Sequence, residues 1–187
     1  MAEFNAYLDL IDLSEIKDFC MAHGSNQRFE RGDVFLLEGD IPQSLGYVES
    51  GYFKYTVRTS NESESVVGFS LSDDYIGDIN ASLFGAKSEA SIIAGRRSLV
   101  KVISMAEFID FATSKGLRFC IGIEAALFRT FHGRYLDLHR LSAAEHYAKV
   151  LERWPRLFQT IPLREIASYL GITPIHLSRL RKEQHSK

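Results

Sequence analysis

Side chains that are able to contact DNA are concentrated near the end of the sequence. Basic and hydroxyl groups bind phosphates, an arginine can bind guanine through two hydrogen bonds, and an isoleucine can pack on the methyl group of thymine. The candidates are Thr173, Ile175, His176, Ser178, Arg179, Arg181 and Lys182. We expect Arg179 to contact a base, and Thr173 and His176 to contact phosphates. Arg181 and Lys182 either support these contacts or only balance the dipole at the end of a helix.

Two short helices joined by a tight turn are expected to position these side chains. Apolar residues recur at helical spacing in both segments: Ile166, Ala167 and Leu170, then Leu177 and Leu180. Gly171 can end the first helix in the left-handed conformation, and Thr173 followed by Pro174 is typical of a helix start. This spacing predicts a helix-turn-helix, which places its second helix in the major groove of DNA. The alternative is an ordinary helical hairpin with a solvated basic face.

Composition and charge are those of a globular protein with a basic C-terminal end. The 187 residues are 45% hydrophobic and 25% charged, which is ordinary for a globular chain of this size. The net charge is +4 over residues 151–187 and −2 for the whole chain, so the remainder carries −6. No apolar run approaches the length of a membrane span, and residues 1–5 lack the layout of a secretory signal. We therefore expect a cytoplasmic protein without membrane contact, in which Cys20 and Cys120 are free thiols.

The order of patterns along the chain predicts an α+β protein. Residues Phe4–His23 show helical spacing, and Gln27–Ser104 show short β-like runs separated by turn residues. The clearest runs are Val34–Leu37, Tyr47–Val57 with a turn at Gly51, Ser65–Phe69 and Ser98–Ile103. Such strands are typical of an antiparallel β-roll or jelly roll. Helical patterns follow over Met105–Thr113, capped by Ser104, and over Leu117–Leu141.

The long helix carries a seam of large apolar side chains that indicates pairing with a second copy of the chain. Its members alternate spacings of three and four, as in a coiled coil: Phe128, Phe131, Tyr135 and Leu138. We expect them to form the interface of a homodimer. The alternative is that this face of the helix packs on its own β-roll.

A further helix connects the long helix to the helix-turn-helix. It is predicted over Ser142–Trp154, with Ser142 and Glu145 as a capping box, an end at Pro155, and a linker over residues 154–161. The chain is thus predicted to divide into an effector domain, a dimerisation helix and a helix-turn-helix DNA-binding domain, over residues 1–116, 117–141 and 142–187.

Four motifs in the N-terminal half complete the pattern: Arg31-Gly32-Asp33, Glu38-Gly39-Asp40, residues 46–51 and residues 76–79. Together with the long helix and the helix-turn-helix, they make nearly the whole chain similar to the Crp/Fnr family of bacterial transcription regulators. The short form that is common in Bacteroidetes-type bacteria is the most similar. The resemblance implies a cyclic-nucleotide-binding-like β-roll, a dimerisation helix and a winged-helix-type domain, with base-reading positions at Pro174, Ile175 and Arg179. Because the sequence ends at Lys187, we expect no wing.

The same resemblance indicates where an effector would bind. It implies a pocket made by Gly77, Asp78, Ser82, Ser88, Glu89 and Ala90 of the β-roll, with Thr130 from the long helix. Nucleotide-binding members hold the ribose with a Glu and the cyclic phosphate with an Arg-Ser pair. Here Asp78 stands at the Glu position, and Ser88-Glu89 at the Arg-Ser positions, where a carboxylate would repel phosphate. We therefore expect an effector other than cyclic AMP or cyclic GMP, or a pocket that is not used.

Other chemistries are disfavoured by the sequence. His132, His139 and His146 are seven residues apart, which is more typical of surface histidines than of a metal or haem site. The single Cys before residue 100 cannot hold an iron–sulfur cluster. We find neither the histidine pattern of a metal-dependent cupin nor a nucleophile elbow, so we do not expect an enzyme.

These observations predict a homodimeric, sequence-specific DNA-binding transcription regulator. Its expected partners are double-stranded DNA and a second copy of the chain, with RNA polymerase as a further candidate. No cofactor is expected beyond an unidentified small effector. The alternative is a ligand-binding or interaction protein whose helix-turn-helix has lost DNA binding, which the apolar Pro174 and Ile175 would favour.

Overall fold

The computed structural model describes residues 13–154 and 157–185, apart from the side chains of Arg153, Gln184 and His185. The described residues contain eight strands: β1 (Ser25–Phe29), β2 (Val34–Leu36), β3 (Ser44–Ser50), β4 (Tyr52–Arg58), β5 (Glu64–Leu71), β6 (Tyr75–Ile76), β7 (Ser91–Ala94) and β8 (Ser98–Ser104). They form two sheets, with strand orders β1-β8-β3-β6 and β2-β7-β4-β5. Every pairing is antiparallel. The predicted α+β fold with an antiparallel β-roll is confirmed.

The helices lie before, within and after the β-roll: α1 (Ser14–His23), α2 (Ile79–Leu83), α3 (Met105–Ser114), α4 (Leu117–Arg140), α5 (Ala143–Arg153), α6 (Leu157–Thr160), α7 (Leu163–Tyr169) and α8 (Pro174–His185). The helix predicted over Phe4–His23 is confirmed from Ser14 onward. Its earlier part and the helix end predicted at Pro155 lie outside the described residues. The linker predicted over 154–161 contains the short helix α6, which has too few residues to show a helical period in the sequence.

Side-chain caps explain where two of the helices begin. The N–H of Glu145 donates to Ser142 Oγ at 3.3 Å, and the N–H of Ser142 donates to Glu145 Oε2 at 2.8 Å. This reciprocal pair satisfies two backbone donors that the first turn of a helix leaves without partners. Ser104 and Glu107 form the same arrangement at the start of α3. The predicted caps at Ser104 and Ser142 are therefore confirmed.

Two hydrophobic cores belong to the β-roll and the helices beside it. The first lies between the two sheets, where β3, β4, β7 and β8 contribute the fully buried Val48, Phe53, Ile92 and Val100. The second lies between α1, α3, α4 and the outer face of β3. Alternating inward and outward side chains along β8 supply both cores, as the period of two in a strand requires.

A third core joins the β-roll to the C-terminal helices. It contains Tyr52, Val66 and Phe69 from β4 and β5, together with Trp154, Leu157, Ile166, Tyr169 and Leu177 from the C-terminal segment. The rings of Phe69 and Tyr169 lie 5.5 Å apart between centroids. The C-terminal helices therefore share apolar surface with the β-roll of the same chain, and their position depends on β5.

Two hydrogen bonds fix α7 against this side of the β-roll. The hydroxyl of Tyr52 donates to Glu165 Oε2 at 3.0 Å, and the N–H of Val66 donates to Ser168 Oγ at 2.9 Å. Tyr52 is 1% exposed and Glu165 6% exposed. Burial and the adjacent Glu165 carboxylate hold the pKa of Tyr52 above its usual range. A carboxylate buried to this degree needs a donor, because water cannot reach it freely.

Replacing Tyr52 with Phe should destabilise the protein by about 1–3 kcal/mol, because it removes the donor to a buried carboxylate. The free energy of unfolding in urea measures this change. Thr113→Val is the matched control, since it removes a hydroxyl from an exposed side chain of α3 outside the seam of α4 and should change stability by about 0.5 kcal/mol or less. Equal stabilities of the two variants would contradict the role given to the Tyr52–Glu165 hydrogen bond.

Candidate ligand cavity and DNA-binding helix

The turn between α7 and α8 is built as the sequence predicts. Gly171 has φ +67°, a left-handed conformation that glycine adopts at low cost. The N–H of Ile172 donates to the carbonyl of Ala167 and the N–H of Gly171 to that of Ser168, both at 3.0 Å, which closes the end of α7. The N–H of His176 donates to Thr173 Oγ1 at 3.2 Å, so Thr173 caps α8.

The inner face of α8 is apolar, and its outer face carries the residues selected from the sequence. Leu177 and Leu180 are buried against α7 and its neighbours. Most of the seven predicted DNA-contact residues are exposed: Thr173, Ile175, His176, Arg179 and Lys182. Ile175 is 69% exposed, an unusual position for an isoleucine without a partner.

Ser178 and Arg181 differ from the other five predicted residues because they are only partly exposed. The guanidinium of Arg181 lies over the Phe158 ring, with Cζ 4.9 Å from the ring centroid. This contact holds Arg181 against its own helical domain. Arg181 is therefore less available for a phosphate than Arg179 or Lys182.

A cavity of about 240 Å³ lies between the β-roll and α4. Of the seven residues predicted for an effector pocket, five line it: Gly77, Asp78, Ser88, Ala90 and Thr130. Ser82 and Glu89 do not line it. Glu89 is exposed, because the segment after α2 turns its side chain to solvent. The prediction that Glu89 repels a phosphate inside the pocket is therefore wrong, because its carboxylate lies outside the cavity.

The polar groups of the cavity's β-roll wall bind one another. Asp78 caps α2, with Oδ1 accepting from the N–H of Ala81 at 3.0 Å and Oδ2 accepting from the hydroxyl of Ser88 at 2.8 Å. The Ser88 hydroxyl also lies 2.9 Å from the carbonyl of Ala90. Both oxygens of the carboxylate are thus engaged by the protein itself. Lys87, beside Ser88, is exposed and does not line the cavity.

The positive charge at the cavity comes from α4. Among the described residues that line the cavity, Arg134 of α4 is the one cation. Its Nη1 lies against β5, where a Cβ at Gly68 would be only 3.2 Å away. Its Cζ lies 5.9 Å from the centroid of the Tyr169 ring in α7. Arg134 is not among the residues predicted from the sequence, although its position one helical turn after Thr130 is a signal that could have identified it.

The seam of α4 faces solvent in the single chain. Phe128, Phe131, Tyr135 and Leu138 are each between 57% and 67% exposed, whereas Ile123, Ala126 and Thr130 on the opposite side are buried. Phe131 also reaches the edge of the cavity. Most of the seam's surface is thus left exposed by the β-roll of its own chain.

The three spaced histidines have different environments. His132 and His139 are exposed and lie against the rings of Phe128 and Tyr135. His146 is buried beside Tyr169, and burial lowers its pKa. Within the described ranges, no group of three His, Cys, Asp or Glu residues could hold a metal ion. In the same part of the chain, every helix is too short or too polar to cross a membrane.

Comparison with known proteins agrees with this architecture. Residues 26–115 match the family model of the cyclic nucleotide-binding domain. No curated protein sequence matches the chain. FixK2 from Bradyrhizobium japonicum has a similar structure, with a TM-score of 0.76 at 18% identity over 87% of this chain and 85% of FixK2.

Two further solved structures have the same arrangement of elements. The c-di-GMP responsive global regulator CLP from Xanthomonas campestris gives a TM-score of 0.65 at 18% identity, over 94% of this chain and 92% of that one. The catabolite activator protein of Thermus thermophilus gives 0.58 at 17% identity, over 96% and 86%. Residues 26–115 thus match the cyclic nucleotide-binding domain, and the chain as a whole has the fold of the Crp/Fnr-type regulators.

Proposed function

We propose that the chain is a homodimeric, sequence-specific DNA-binding transcription regulator, controlled by a small ligand in the cavity of its β-roll. The observation that carries the proposal is the geometry of α8. Leu177 and Leu180 anchor this helix, while Ile175, His176 and Arg179 stand exposed at its beginning. The similar fold of FixK2, and of CLP, which is described as a global regulator linked to virulence gene expression, supports the same function.

In this proposal α8 enters the major groove with its first turns leading. Arg179 is the residue best suited to bind guanine, since its planar guanidinium can donate two parallel hydrogen bonds. Ile175 packs on a thymine methyl, which gives its exposed side chain an apolar partner. Thr173, His176, Ser178 and Lys182 contact phosphates around it, and Arg181 supports them from its place beside Phe158.

The seam of α4 forms the interface of the proposed dimer. Its four large side chains lie in one line along the helix and are all more than half exposed. Pairing two copies of α4 through this line would remove them from water and is favoured by the hydrophobic effect. Two recognition helices would then face successive major grooves of a near-palindromic site.

Ligand control follows from the position of the cavity against the same helix. Thr130, Phe131 and Arg134 of α4 line the cavity, and Phe131 also belongs to the seam. A ligand that binds one arrangement of the dimer more tightly than another shifts the population toward it. The cavity and the dimer interface are therefore expected to influence one another.

A cyclic nucleotide does not suit this cavity. Asp78 and Ser88, which stand at the positions of the family's ribose and phosphate contacts, bind one another. The exposed Lys87 and Glu89 do not line the cavity. The phosphate of a cyclic nucleotide would thus lack a cation at the wall where the family supplies one.

The second candidate is a ligand-binding or interaction protein whose helix-turn-helix no longer binds DNA. Pro174 and the exposed Ile175 favour it, because both stand at positions where polar side chains usually read bases. A DNA-binding assay with a single substitution in α8 distinguishes the two candidates.

Replacing Arg179 with Ala should weaken binding to the preferred DNA site by about 1–3 kcal/mol and relax the preference at one base pair of each half-site. Arg118→Ala is the matched control, because it removes a charge that is also exposed, at the start of α4. Gel-shift titrations at about 0.1 M salt, where non-specific binding is partly screened, measure both. Equal weakening in the two variants, or none in either, would contradict the role of Arg179 and favour the second candidate.

Replacing Phe128 with Glu should dissociate the proposed dimer, because it places like charges at the centre of the paired helices. Analytical ultracentrifugation should then show a decrease from the mass of two chains to that of one. The control Phe84→Glu changes a more exposed phenylalanine outside α4 and should leave the dimer intact. A wild-type chain that sediments as a monomer would contradict the interface.

If the protein bound cyclic AMP with a micromolar Kd, a concentration about 100 times this Kd would stabilise it by about 2.7 kcal/mol. For a chain of this size, that gain corresponds to a rise in Tm of roughly 5–10 °C. We expect neither cyclic AMP nor cyclic GMP to raise the Tm by as much as about 1 °C. A rise in Tm of several degrees with either nucleotide would contradict the inference that Asp78 and Ser88 bind one another instead of a cyclic nucleotide.

A further inference from the structure

The lining of the cavity restricts the kind of molecule that it can take. Most of its wall is hydrocarbon and aromatic, including Leu45, Phe69, Ile92, Phe108 and Leu127. Drug-sized ligands occupy pockets of roughly 300–1,000 Å³, so a volume of about 240 Å³ suits a smaller molecule. Such a wall favours a compact apolar body, because it offers few groups that could replace the water of a polar one.

Charge is distributed unevenly over the cavity. On the β-roll side, Asp78 is already bound by Ser88 and by the N–H of Ala81. On α4, the guanidinium of Arg134 lies between β5 and α7. A negative group on a ligand is attracted to Arg134 and repelled by Asp78, which favours one orientation of the ligand.

A single guanidinium pairs best with a single negative charge. Its planar fork donates two parallel hydrogen bonds to a carboxylate, the strongest geometry for such a pair. A phosphate dianion would retain a charge that no second cation among the described lining residues balances. A monocarboxylate therefore suits the cavity better than a phosphate monoester.

We propose that the cavity binds a small monocarboxylic acid with an apolar body, whose carboxylate is held by Arg134. This inference rests on the proposed function, because it names the class of ligand that controls the regulator. The acid enters with its apolar part among the β-roll side chains and its carboxylate toward α4.

Arg134 also connects the ligand to the DNA-binding helices. Its guanidinium lies over the ring of Tyr169, the last residue of α7. The turn of the helix-turn-helix follows within two residues. A carboxylate that draws the guanidinium toward the cavity weakens its attraction to the Tyr169 ring. Ligand binding thereby changes the contact between α4 and α7, and the turn at Gly171 connects α7 to α8.

The test uses octanoate and 4-phenylbutanoate as probes, each paired with the neutral amide of the same skeleton. Isothermal titration calorimetry with the full chain at pH 7 should show each acid binding at least about tenfold more tightly than its amide. Arg134→Gln should abolish the preference for the acid. Arg129→Gln should retain it, because Arg129 is exposed on the same helix and does not line the cavity.

Three results would overturn the proposal: equal affinities for acid and amide, a preference that survives Arg134→Gln, or no binding of either acid at about 5 mM. If Arg134→Gln does not fold, Arg134→Lys replaces it. This variant keeps the charge but cannot form two parallel hydrogen bonds, so it should reduce the preference without abolishing it, and an undiminished preference would count against the proposal.

The link to α7 is tested with DNA. A saturating acid should change the dissociation constant of the wild-type protein for its DNA site by about fivefold or more. Tyr169→Phe should keep this coupling, because it keeps the ring, and Tyr169→Leu should lose it. Coupling that is absent in the wild type, or undiminished in Tyr169→Leu, would overturn the link.

The titrations contain no DNA, so the proposal and the proposed function fail separately. Acids that bind through Arg134 to a protein that binds no DNA would support the ligand assignment and contradict the regulator. Sequence-specific DNA binding without any preference for acids would support the regulator and contradict the ligand assignment.

Discussion

The packing of α7 against β5 is the constraint on which the rest of the structure depends. A DNA-binding helix is useful only if its position is defined, and α8 is positioned through α7. The apolar surface shared by Phe69, Val66 and Tyr169 fixes α7 on the β-roll. The buried hydrogen bond from Tyr52 to Glu165 sets its register. A buried carboxylate without a hydrogen-bond donor is unfavourable. Movement of α7 away from β4 would remove Tyr52 from Glu165, so this hydrogen bond opposes such movement unless another donor replaces Tyr52.

The long helix α4 connects three regions that are otherwise far apart. One side is buried on the β-roll, and another exposes the line of aromatic and leucine side chains. From the buried side, Thr130 reaches the cavity, and Arg134 one turn later also lines it. A helix transmits displacement along its length as a rigid body, so a change at the cavity moves the exposed line and the start of α5 together. In the proposed dimer, this arrangement would give a small ligand a mechanical route to both copies of α8.

Much of the fold could be predicted because local patterns and the global structure agree. The caps at Ser104 and Ser142, the turn at Gly171 and the inward Leu177 and Leu180 depend only on neighbours in the sequence. Strand β1 was less predictable, because its Ser25–Arg28 segment is polar and exposed at a sheet edge, without alternation of apolar residues. Short α6 likewise has too few residues for a helical period.

The site was less predictable than the fold because it depends on contacts between distant segments. The sequence could identify Asp78 and Ser88 as pocket residues, but not that they bind one another. It placed Glu89 in the pocket, whereas the side chain is exposed. It gave no weight to Arg134, because a charged residue on a long amphipathic helix is usually solvated. Only the folded arrangement brings that guanidinium between Gly68, Tyr169 and the cavity.

Selection of bound sites from random duplex DNA would show whether the chain recognises a specific DNA sequence as a dimer. Purified full-length protein would be mixed with the pool at about 0.1 M salt, with and without an acid that binds the cavity. We predict enrichment of a two-fold motif whose half-sites lie about one helical turn apart. Failure to enrich any motif under either condition would contradict it.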